Sequence, residues 1–111
     1  REIGPNLRAL ETLHNNKWQN GFTANDGTIY GIPLKSETIL RIRFLKNEKD
    51  NTLSPEVDVV GGPFVGLNKW EGGVMTKNGD MFCMPLNYAQ VLRMKPIVVG
   101  DEEGQGGSGT A

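Results

Sequence analysis

The sequence predicts an all-β chain of two four-stranded antiparallel sheets, and three observations carry that prediction. A pattern of 26 residues is spelled twice at a spacing of 52, the apolar residues fall in short runs cut by 15 glycines and six prolines, and each copy sets an Asp-Gly or Asn-Gly pair between two such runs. Only residues 7 to 13 space their apolar side chains as a helix would.

The repeat runs without a gap from Asn16 on Asn68 through Arg41 on Arg93, and nine of its 26 pairs are identical where composition alone gives about one or two. The identities include Trp18 with Trp70, Gly21 with Gly73, Gly27 with Gly79 and Pro33 with Pro85; Tyr30 with Phe82 and Ile39 with Val91 keep their character. In the first copy, strands are expected at Asn20 to Ala24 and Thr28 to Pro33, either side of "NDG". A third follows at Thr38 to Phe44, where branched apolar residues cluster. "KNEKDNTLSP" then reads as a polar loop, and "EVDVVGGP" from Glu56 to Pro63 as a fourth strand ending in a turn. In the second copy, Gly72 to Thr76 and Asp80 to Pro85 flank "KNG", Gln90 to Met94 supplies the third strand, and only Ile97 to Gly100 is left for a fourth.

With Lys plus Arg at 12 and Asp plus Glu at 13, the net charge is close to zero. That balance argues against a nucleic-acid or anionic-membrane surface, each of which needs a concentrated basic patch. The single cysteine, Cys83, has no internal partner for a disulfide, which favours an intracellular compartment. No apolar run approaches the roughly 18 residues of a membrane span.

A narrow twisted sheet has two wet faces and must stack on a neighbour to bury them. Four short strands per repeat of 52 residues suit a β-propeller blade, with kelch the nearest period, and glycine-rich first strands such as Gly72 and Gly73 suit a crowded inner ring. The run "KWEGGVMTKNGDMFCMPLNYAQVLRM" resembles tandem propeller repeats found in many protist proteins, similar in layout to kelch and NHL or gluconolactonase-like blades. Such repeats close their outer strand with an "IGP" element before "KW", and "EIGPNL" and "VVGGPFVGL" both fit it. The resemblance therefore implies an outer-strand remnant and loop over 1–15, a first blade over 16–67, a second with a short outer strand over 68–100, and a flexible acidic Gly/Ser-rich tail over 101–111. Two departures stand out: the polar insertion near Lys46 to Leu53, and the weak outer strand of the second copy. Rings of this kind close with about four to eight blades, so two blades imply further blades, a homo-oligomer or another protein alongside.

Residues able to carry chemistry are few. His14 stands alone in a loop, without a second ligand or base nearby, and Cys83 occupies mid-strand as a packed thiol would. Asp26 and Asp80 sit at hairpin turns and Asp58 near a strand end, where local hydrogen bonding is the ordinary use of Asp; no calcium-loop spacing appears. The candidate binding residues are those the repeat preserves: Trp18 and Trp70, Lys17 and Lys69, Arg41 and Arg93. The two tryptophans read as wedges between blades, with the lysines presenting charge at the rim and the arginines pairing with an acidic neighbour. These residues lead to an expectation of a non-enzymatic protein-interaction or scaffold module without a cofactor, working inside a larger assembly. The alternative is a carbohydrate-binding propeller assembled from several chains, carried by Trp18 and Trp70. A lactonase-type hydrolase comes third, its metal-binding carboxylates supplied by further blades.

Overall fold

The computed structural model describes residues 1–7 and 17–96. Within them the chain is all-β. The first sheet has the order β1 (Trp18–Thr23), β2 (Ile29–Pro33), β3 (Ile39–Lys46), β4 (Leu53–Val60), and the second the order β5 (Trp70–Met75), β6 (Met81–Pro85), β7 (Leu92–Met94). Every pairing is antiparallel and neither sheet closes into a barrel, an arrangement consistent with an incomplete propeller-type fold. The expected helix-compatible stretch beyond Leu7, His14, the fourth strand at Ile97 to Gly100 and the tail over 101–111 lie outside the described residues.

The sequence repeat is also a repeat of backbone register. Trp18 pairs with Pro33 and Gly21 with Gly31, just as Trp70 pairs with Pro85 and Gly73 with Cys83, so each first strand carries one extra residue at the same place. That bulge puts Asn20 and Gly72, again equivalent positions, at φ 62° and 70°. A Cβ on Gly21 would come within 2.4 Å of the Tyr30 carbonyl oxygen, and one on Gly73 within 2.2 Å of that of Phe82. Glycine is required there by the neighbouring strand's backbone, a closer constraint than the crowded inner ring the sequence suggested.

Both short hairpins turn alike. Gly27 N–H donates to the Ala24 carbonyl (2.9 Å) and Gly79 N–H to that of Thr76 (3.0 Å), with the glycines at φ 91° and 96°. The Asp or Asn before each glycine stays out of the left-handed region, so only the glycine of each Asp-Gly or Asn-Gly pair takes the positive φ and the loop spans the three residues "NDG" or "KNG". Asp26 Oδ1 accepts from Thr28 N–H, which is the local use predicted for it.

Two boundaries differ from the sequence expectation. The polar stretch "KNEKDNTLSP" is mostly strand end and tight turn: β3 runs to Lys46, β4 starts at Leu53, and Asn47 N–H bonds to the Thr52 carbonyl across the gap. The strands extend because Phe44 faces Pro55 and Leu45 faces Ser54 in a continuous ladder, while Pro55 is tolerated on an edge strand. Residues 1–7 form no strand; Gly4 packs against the Val57 side chain, at a distance that would bring a Cβ to 2.7 Å.

The sheets stack face to face. Phe22, Ile32 and Ile39 of the first sheet meet Trp70, Met81, Cys83, Leu92 and Met94 of the second, with Tyr30, Val60 and Phe64 at the margin. This shared layer is the core, and neither sheet has one of its own.

Candidate functional site

Each preserved "KW" pair anchors its own unit, and the second pair also fastens the two sheets. Trp18 Nε1 donates to the Thr38 carbonyl and Trp70 Nε1 to the Gln90 carbonyl, both at 2.8 Å and both 20 residues ahead. Each indole thus ties the first strand of its unit to the loop before the third. Trp70 is 2% exposed, with Phe64 edge-on at 5.4 Å and Tyr88 tilted over it at 4.6 Å, so its ring has no open face for a sugar; Trp18 is half-buried. Trp70 packs within the layer the two sheets share, whereas Trp18 stands outside that layer and its indole is tied to its own unit.

Lys69 departs from expectation. It is fully buried instead of presenting charge at a rim, and its Nζ donates to the carbonyls of Gly66 (2.8 Å) and Leu34 (3.3 Å). Its backbone N–H reaches the same Leu34 carbonyl at 2.8 Å. The second unit's "KW" is therefore clamped to the first unit's "PL", and the buried Nζ has main-chain carbonyls as its hydrogen-bond partners. Lys17 opens the first unit and is only half-buried. Sequence alone does not separate the two lysines, because only the second has a preceding unit described beneath it.

Arg41 and Arg93 both find carboxylates, through different strands. Arg41 makes a two-pronged pair with Asp58 (2.9 and 2.6 Å) across the β3–β4 ladder, which raises its own pKa and holds the Asp58 carboxyl below the usual carboxylate range. Arg93 has no β4 counterpart among the described residues and reaches Asp80 at 2.8 Å while lying 5.9 Å over the Phe82 ring. Cys83 is fully buried, and that burial pushes its thiol up to about 12. It therefore stays protonated and packs as an apolar group. Among the described residues no three His, Cys, Asp or Glu side chains come together as a metal site would require, and no helix is long and apolar enough to cross a membrane.

What the preserved residues leave open is a surface. Side chains paired across antiparallel strands share a face, so Phe22, Ile32 and Ile39 form the face of the first sheet that the second sheet covers. Their equivalents 52 residues on are Val74, Met84 and Val91, on the same face of the second sheet. Phe22 is 8%, Ile32 0% and Ile39 0% exposed, against 59%, 41% and 53% for those equivalents. Leu34 and Leu86, beyond the second-strand ends, show the same contrast at 6% and 57%. The second sheet therefore displays in solvent the apolar set that the first sheet buries. This face is the candidate site, and the repeat alignment already contained it as Phe22/Val74 and Ile39/Val91; which copy is covered was the missing information. In comparisons with known proteins, no family model matches the chain, and no significant match to a curated protein or a solved structure is found.

Proposed function

We propose that the chain is a non-enzymatic, β-propeller-type module for protein contact, acting as a subunit or segment of a larger assembly. The observation that supports this reading best is the uncovered face of the second sheet, where Val74, Met84, Leu86 and Val91 stand 41–59% exposed at positions whose counterparts are core. An apolar patch of that make-up on a soluble domain marks a contact surface. The residues best suited to catalysis are engaged in packing: Cys83 is buried and protonated, while Asp58 and Asp80 are each held by an arginine.

The experiment is a size fractionation of extracts from cells that express the tagged protein at its natural level. The protein is expected to migrate in a complex well above its own size, and a Leu86→Glu/Val91→Glu variant to fall back to the size of the free protein. Migration of the unaltered protein at its own size, with the apolar face wet, would overturn the proposal.

A further inference from the structure

Resting on that reading, we infer that the partner on the bare face is a second copy of this chain, docked head to tail through the opposite face of its first sheet. The internal interface supplies the template. It joins two different surfaces: the Phe22, Ile32, Ile39 face of the first sheet, and the Trp70, Met81, Cys83, Leu92, Met94 face of the second. Each chain owns a further example of both. The second sheet carries the first kind of surface at Val74, Met84 and Val91. The first sheet carries the second kind at Trp18, Ile29, Leu40 and Ile42, which are the equivalents of Trp70, Met81, Leu92 and Met94.

Register confirms that these last residues share one face. Ile29 pairs with Ile42 and Gly31 with Leu40, as Met81 pairs with Met94 and Cys83 with Leu92. Trp18, Ile29, Leu40 and Ile42 all remain partly exposed, whereas Trp70, Met81, Leu92 and Met94 are 0–5% exposed. The open surface of the second sheet and the surface of the first sheet, which Gly4 covers in part at Val57 beside Ile42, are thus a donor and an acceptor of the same joint, placed at opposite ends of the stack. Such a contact is heterologous, so each added copy renews the free face until rotation closes a ring or a filament grows.

Equilibrium sedimentation of the purified chain tests this. The expected result is a mass that rises with concentration to at least twice the 12.2 kDa of one chain. Leu86→Glu/Val91→Glu, at exposed positions, and Ile42→Glu, on the opposite face, should each be monomeric alone. Their mixture should give a one-to-one pair that grows no further, because each variant retains one intact face. Far-ultraviolet circular dichroism checks that both fold; if Ile42→Glu does not, Trp18→Lys takes its place.

A wild-type chain that stays monomeric at several hundred micromolar would overturn the inference. So would an Ile42→Glu chain that associates as well as wild type, since that result indicates the bare faces pairing with each other. A monomeric purified chain that still enters a large complex in extracts defeats the second-copy partner alone and leaves the contact-module reading standing.

Discussion

Ile39 and Val91 hold the same place in the repeat, yet one is sealed between sheets and the other faces water, 0% against 53% exposed. Truncating each to Ala measures what stacking contributes. Ile→Val at a core site costs about 0.5–1.5 kcal/mol and Ile→Ala about 2–5, so the Val-to-Ala step at position 39 is worth roughly 1.5–3.5 kcal/mol once the cavity is included. The same chemical step at Val91 should cost no more than about 0.5 kcal/mol, as exposed substitutions do. For a chain of 111 residues, total stability is on the order of 6–17 kcal/mol, so Ile39→Ala removes a readily measured share. Urea unfolding of the wild type, Ile39→Val, Ile39→Ala and Val91→Ala, followed by tryptophan fluorescence at about micromolar concentration, gives each midpoint and slope. The buried Trp70, packed in the same layer, reports the loss of stacking. Equal costs at the two positions in dilute solution, or an Ile39→Ala cost under about 1 kcal/mol, would refute one-sided stacking.

Three further outcomes are expected. Lys69→Met should destabilise by about 1–3 kcal/mol, because the carbonyls of Leu34 and Gly66 lose a buried donor, while Lys17→Met stays within about 0.5 kcal/mol; thermal melts of the pair check this. The Arg41–Asp58 pair lowers the folded-state pKa of Asp58, so its contribution is present above the unfolded value near 3.9 and is lost as pH falls through the folded value. With the two side chains 23% and 36% exposed, that contribution is at most about 1 kcal/mol, and the stability gap between wild type and Asp58→Asn should close in urea titrations taken from pH 7 to pH 2.5. The Cys83 thiol, raised to about 12 by burial, should react with a disulfide reagent at pH 8 at least about a hundredfold more slowly in native protein than in urea; fast native labelling would mean that the sheets part readily.

Most of the local structure was legible because its causes are local. Asp-Gly and Asn-Gly at equivalent positions fixed two hairpins and alternation within Ile39–Phe44 marked a strand, whereas the bulges beside Gly21 and Gly73 were not read from the sequence, which suggested a crowded inner ring there. The longer hairpin between β3 and β4 was missed because a run rich in Lys, Asn and Asp reads as loop, while the pairing of Phe44 with Pro55 and Leu45 with Ser54 exists only once both strands are present.

By itself, then, the chain's composition and its duplicated pattern determined an all-β architecture of two like sheets, since turn chemistry and side-chain period act over a few residues. Tertiary structure alone decided that Trp70 and Lys69 are sealed while Trp18 and Lys17 are not, and that Val91 is wet where Ile39 is dry. Equivalent residues have the same neighbours along the chain and different neighbours through space, and burial depends on the second kind.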